Sequence, residues 1–240
     1  MGYKHTYQPE GSDGGRSLPV QSVLVALGLL AVGFAAGGLA WRWAGACCAA
    51  IPPVSPHLAR LACGLMWAGL GLVYGPHLET VELCLLALVL VALSLTDLAS
   101  LTIPNACIVA AVLVRVPYIA FAGLLGKADP AALLVRSLAG GLGTLVSLLV
   151  LTVILDRLLG TESLGGGDLK LLAVAGMYVG WMAVPMLALA CLLGLAGAFV
   201  KAHGRPDALE PFAFGPAIAC SLWVALMVAP LSAGFVRWMF

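Results

Sequence analysis

Charge is scarce in this chain: 12 Lys and Arg and 11 Asp and Glu stand among 240 residues, only 10% of the total. A soluble domain carries about 25% charged residues and covers its surface with them, so a soluble globular enzyme is excluded. The net charge of +1 leaves no basic stripe for nucleic acid. Alternating apolar and polar segments of about 10 residues, the mark of a membrane β-barrel, are also missing. Runs such as Leu83 to Leu95 and Leu145 to Leu155 are apolar on every face. Metal-ligating spacing is absent too. The cysteines at 47, 48, 63, 84, 107, 191 and 220 form no C-x-x-C pair, and His5, His57, His77 and His203 are dispersed through tails and loops. Neither a metal centre nor a disulfide framework is expected.

What the chain does have is apolar length. Hydrophobic residues make up 62% of it, and the mean hydropathy is +1.07. A bilayer core of about 30 Å takes about 20 helical residues per crossing, and helices satisfy their own backbone in lipid. The expected fold is all-α, a polytopic transmembrane bundle of about eight helices.

Seven breaks in hydropathy divide the chain into segments near 18–40, 58–73, 81–96, 105–125, 131–155, 169–180, 186–200 and 212–236. Residues 1–17 read as a polar N-terminal tail, 18–57 as a first transmembrane helix with a short cytoplasmic loop, and 58–240 as a membrane-embedded catalytic domain. The odd-numbered breaks and their flanks carry Arg42, Arg60, Arg157, Lys170, Lys201 and Arg205, against Lys127 on the other side. Positive charge favours the cytoplasm, so those breaks are expected there. Run 169–180 is too short to span alone, which suggests a helix starting below the surface beside a water-filled cavity. Gly33 with Gly37, and Gly140, Gly141 and Gly143, read as close helix contacts. Asp156, Arg157 and Glu162 read as a solvated loop. Arg115, in mid-segment, finds no partner in this map.

Acids at membrane depth are costly and therefore functional candidates. Asp97 ends the third apolar run, and Asp168 follows Gly165-Gly166-Gly167 at the start of the sixth. By the topology above they share the cytoplasmic side. Two carboxyls in one site do not both ionise readily, so one keeps a proton and the other remains a base. Such a pair can activate water and protonate a scissile amide, as aspartyl proteases do. The plainer alternative is that both acids mark topology or cap helices, with Asp168 capping a helix from Leu169. G-x-G-D alone is expected by chance roughly 0.1 times in a chain this rich in glycine.

Three stretches go further. Leu93-Ser94-Leu95-Thr96-Asp97 is followed six residues on by Ile103-Pro104-Asn105. Gly165-Gly166-Gly167-Asp168-Leu169-Lys170-Leu171-Leu172 runs on to Gly180-Trp181, and Pro211-Phe212-Ala213-Phe214-Gly215-Pro216-Ala217 opens the last segment. Together they resemble the type IV prepilin peptidases, G-x-G-D membrane aspartyl proteases, over roughly residues 58 to 225. The resemblance implies Asp97 and Asp168 as catalytic residues and a prepilin or pseudopilin as substrate, cut on the cytoplasmic side of the inner membrane, with no metal or cofactor. Gly165, Gly167, Lys170, Pro104 and Asn105 are supporting candidates. Glycines 165 and 167 would let backbone approach a substrate strand, while Lys170 would tune the acids or snorkel to headgroups. Many members have a large cysteine-paired cytoplasmic loop and also methylate the new N-terminus. Here that loop is Trp41 to His57 with Cys47-Cys48 alone, which argues against methyltransfer. A presenilin-like protease shares G-x-G-D, but Thr96 stands where that family has Tyr. From other classes, a small ion- or proton-coupled transporter would use the same two aspartates, and a non-catalytic assembly factor would need neither.

Overall fold

A computed structural model of the chain describes residues 20–48, 51–160, 164–201 and 212–239, with side chains at 201 and 231–239 left out of the description. Among these residues the regular structure is entirely helical. The helices are α1 (Val20–Cys47), α2 (Pro56–Tyr74), α3 (Leu78–Ser100), α4 (Asn105–Leu124), α5 (Pro130–Leu159), α6 (Gly166–Val179), α7 (Ala183–Lys201) and α8 (Gly215–Met239), with one 3-10 turn, Gly180–Met182, between α6 and α7. Six stretches are long and apolar enough to cross a bilayer, the last running from Gly166 through α6, the turn and α7 to Val200. The protein is a multi-pass helical membrane protein, as its composition requires.

Several boundaries differ from the hydropathy breaks, for a common reason. A polar residue lowers hydropathy without ending a helix when its backbone bonds are kept. Helix α1 thus continues over Arg42 to Cys47, with Ala44 buried and the Trp41 indole donating to the Val54 carbonyl at 3.0 Å. Its link to α2 is correspondingly shorter than Trp41 to His57, and His57 itself lies in the first turn of α2. Asp156 and Arg157 belong to the last turn of α5, not to a loop. The Asp156 carbonyl accepts from Gly160, whose φ of 70° closes the helix, and Arg157 suits the negative helix end. Helix α6 starts three residues before the hydropathy run, so Gly166, Gly167 and Asp168 form its first turn. At 14 residues it is about 21 Å long and still short of a full crossing. The polar tail 1–17, Glu162, His5, His203 and Arg205 lie outside the described residues.

The helices are drawn together by glycine. A Cβ built on Gly37 of α1 would lie 2.5 Å from the Arg60 Cα of α2, and one on Gly33 would lie 2.9 Å from the Trp67 ring. Small residues let helix backbones touch in lipid, where dispersion rather than water exclusion drives packing. Gly140 and Gly141 do the same for α5, meeting the Gly176 carbonyl and the Met177 side chain of α6. Gly143 departs from this expectation: nothing lies near its Cβ position, and it lines a cavity of about 420 Å³ between α5 and the start of α7.

The result is two close-packed groups, α1 with α2 and α3, and α5 with α6. Helix α3 packs against α4 and α8, and α6 also packs against both, whereas α3 and α6 scarcely touch each other directly. The most buried helix is α3, with Leu86, Leu90 and Leu93 fully enclosed. The chain direction reverses between successive helices, so the ends of α3 and α5 and the starts of α4 and α6 lie at one end of the bundle.

Candidate active site

Asp97 sits in the last turn of α3 and is only 5% exposed. That helix terminates immediately beyond it. Leu101 adopts φ 52°, the one positive φ of a non-glycine among the described residues, and its N–H closes onto the Asp97 carbonyl at 2.8 Å. A left-handed leucine costs on the order of 1–3 kcal/mol. It turns the chain sharply into Thr102-Ile103-Pro104, and Pro104 then precedes the first residue of α4, where its fixed φ suits the entry.

The Asp97 carboxylate has one specific partner: Oδ2 accepts the backbone N–H of Gly215 at 2.7 Å. Gly215 is the first residue of α8, so the bond lies at the electropositive end of a helix, which favours a carboxylate. Only glycine fits there, since a Cβ would stand 2.8 Å from the same oxygen. The segment that delivers Gly215 is anchored by aromatics. Phe212 and Phe214 meet edge to face with ring centroids 6.3 Å apart, and Gly194 of α7 leaves room for the Phe214 ring.

Asp168 is half-buried at the third position of α6, whose N-cap is Gly165. Asp168 is thus inside the first turn of α6 and is not the N-cap of a helix starting at Leu169. The carboxyl lies against Gly165, whose Cβ would be 3.2 Å from Oδ2, and it is within electrostatic reach of Asp97. Gly167 is helical rather than a flexible hinge. Its missing side chain seats Ile103, at 3.1 Å from the Cβ position, and so brings the start of α6 against the turn after Asp97. Asn105 and Lys170 meet at the exposed rim, where the ammonium donates to the Asn105 Oδ1 at 3.1 Å. The bond ties the first turn of α4 to that of α6.

The structure thus gathers all seven residues singled out by sequence, Asp97, Pro104, Asn105, Gly165, Gly167, Asp168 and Lys170, at one end of the bundle. Two others were not singled out. Gly215 belongs to the Pro211-to-Ala217 stretch but drew no individual notice, because a backbone donor has no side-chain signature. Glu82 was passed over inside an apolar run, and it supplies the partner Arg115 lacked: the Arg115 Nη1 lies 2.8 Å and 3.1 Å from the two Glu82 oxygens. Arg136 stands exposed at the rim of a cavity that Glu82 and Arg115 also line. The described residues contain no group of three or more His, Cys, Asp or Glu placed to hold a metal ion, and the seven cysteines are free thiols.

Fold and site together define a multi-pass helical membrane protein with a pair of carboxyl groups collected at one end of its helices. Residues 84–199, somewhat less than half of the chain, match the type IV leader peptidase family. The chain is similar to the prepilin leader peptidase/N-methyltransferase of Aeromonas hydrophila, 29% identical over 199 residues that cover 79% of this chain and 64% of the relative. The protein of the same description from Dickeya chrysanthemi is 31% identical over 76% of this chain and 64% of its own length. That from Bacillus subtilis (strain 168) is 32% identical over 70% and 64%. The chain therefore spans somewhat less than two thirds of these relatives. No solved structure matches it.

Proposed function

We propose that this chain is a membrane aspartyl endopeptidase that removes the leader of a prepilin or pseudopilin, with Asp97 and Asp168 as its catalytic pair. The observation that carries the reading is the convergence of these two acids, 71 positions apart in sequence, at one end of the bundle within electrostatic reach.

The chemistry is that of two carboxyls holding one proton between them. The ionised member takes a proton from a water molecule as that water's oxygen bonds to the scissile carbonyl carbon. The protonated member gives its proton to the amide nitrogen as the C–N bond breaks, leaving a new carboxyl end on the leader and a new amine on the mature protein. The proton taken from water replaces the one given away, so the pair is restored. The Gly215 amide fixes one Asp97 oxygen and leaves the other free to face water or substrate. The start of α6 presents Asp168 with glycine on its near side, where a substrate backbone can approach closely.

The positive-inside bias supports reading this end of the bundle as the cytoplasmic one. A peptidase acting there takes a membrane-inserted substrate whose leader lies in the cytoplasm. Methyltransfer, which the relatives' names also carry, is not extended to this chain, because the α1–α2 link is short and offers no paired cysteines beyond Cys47-Cys48 at the end of α1.

The test is co-expression with a candidate prepilin, scoring leader loss by gel shift. Wild type is expected to cleave, and Asp97→Asn and Asp168→Asn to leave the precursor intact while reaching the membrane in normal amounts. Cleavage by either variant removes the aspartyl reading. Gradient-driven uptake of a solute without proteolysis favours a transporter using the same acids.

A further inference from the structure

Some 22 Å along α3 from Asp97, by the 15-residue separation, lies Glu82. Tyr178 lies about 15 Å along α6 from Asp168, by a separation of ten. Both are at the opposite end of the bundle, and both converge on one side chain. The Arg115 guanidinium, from α4, bonds both Glu82 oxygens and donates through Nε to Ser137 Oγ of α5 at 3.0 Å. It lies over the Tyr178 ring of α6 at 5.1 Å and over Tyr118 at 5.2 Å. One turn earlier on α4, the Ala111 carbonyl accepts the Tyr178 hydroxyl at 2.6 Å. The Glu82 side chain is 3% exposed and that of Arg115 14%. They edge a cavity of about 360 Å³ that Glu79 and Arg136 also line.

A single planar cation therefore joins α3, α4, α5 and α6. This matters because α3 and α6, which carry the two aspartates, scarcely touch directly. At the aspartate end they are linked through others: α8 through the Gly215 bond to Asp97, and α4 through the Asn105–Lys170 bond and the Ile103 seat on Gly167. At the far end the link is Arg115. A guanidinium offers several donors in a fixed plane and two faces for aromatic rings, so it can hold its partners at set angles as well as set distances. In a lever about 15–22 Å long, a small tilt at Arg115 becomes a displacement of the order of an ångström at the carboxyls.

We propose that Arg115 is a positioning residue that sets the spacing of Asp97 and Asp168 from the opposite end of the bundle. The proposal rests on reading that pair as the site. A merely stabilising ion pair would behave differently, since a buried pair is replaceable by neutral side chains of similar size with stability kept, whereas removing one partner strands the other charge.

The test uses the full chain in lipid nanodiscs with spin labels at Leu98, exposed beside Asp97, and Gly166, whose Cβ position is open. Labels enter through a bioorthogonal amino acid, which leaves the native thiols untouched. Wild type is compared with the charge-neutral double variant Arg115→Met/Glu82→Gln. The expected result is a shifted or broadened inter-label distance in a protein of near-wild-type melting temperature. Its kcat on a prepilin should fall by about 10- to 100-fold, the cost of misplacing groups by an ångström, with KM nearly unchanged. A double variant that keeps the wild-type distance, or one whose kcat holds despite a changed distance, overturns the proposal. If the double variant does not assemble, Arg115→Lys decides, because one ammonium does not reproduce the planar set of bonds. A wild-type distance in that variant is equally fatal. The distance is read without any cleavage, so a wild-type chain inactive on prepilins defeats the proteolytic reading while this test still reports on Arg115.

Discussion

The Gly215 amide and the Asp97 carboxylate are joined by a 2.7 Å hydrogen bond across 118 positions of sequence, which ties the start of α8 to the end of α3. A Cβ at Gly215 would fall 2.8 Å from the accepting oxygen. Gly215→Ala must therefore displace the carboxylate or the helix start. The expected outcome is prepilin cleavage slowed by about 10- to 100-fold, with membrane yield and melting temperature close to wild type. Unaltered cleavage would show that the bond does not orient Asp97 for reaction.

The glycine tract makes a prediction with its own internal control. Gly166 faces open space, whereas a Cβ on Gly167 would stand 3.1 Å from Ile103. Gly166→Ala should cleave as wild type does. Gly167→Val should push the turn after Asp97 away from α6 and lower activity by on the order of tenfold or more. Parallel initial rates on one substrate decide it, and equal rates would mean that the seat of Ile103 has no bearing on the site.

Activity should follow a bell-shaped curve against pH. A pair that works with one proton is idle when both groups are protonated, at the acid side, and idle again when both are ionised, at the alkaline side. Rates of leader removal from a detergent-solubilised substrate, measured at constant ionic strength, test this. An acid limb without an alkaline one would assign the reaction to a single carboxylate.

Lys170 bonds Asn105 at the exposed rim, at 3.1 Å. An exposed hydrogen bond of this kind contributes roughly 0.5–1.5 kcal/mol, so Lys170→Met should lower kcat by less than about tenfold, far less than loss of either aspartate. A complete loss of activity would make the lysine part of the reaction and not a tie between α4 and α6.

The legibility of this protein differs from element to element. Asp97 and Asp168 were readable because charge in an apolar run is conspicuous, and the parity of helix crossings puts both at one end. The ends of α1, α5 and α6 were misread, because hydropathy reports polarity whereas helix ends report hydrogen bonding. Arg42 and Asp156 lower the first without disturbing the second. Arg115 stood out in the sequence but without an explanation, since its partner Glu82 is 33 positions away on a neighbouring helix.

The sequence alone determined that the chain is a helical membrane protein and that its two conspicuous acids share an end, because both follow from the energetic cost of polar groups in hydrocarbon and from alternation of direction. Which helices are neighbours was decided only in three dimensions. Helices apolar on every face carry no stripe that names a partner, so contact is settled by the fit of small residues such as Gly37 against Arg60. The Gly215 donor and the Arg115 junction exist only because that fit brings α8 to α3, and α3 through α6 to a single cation.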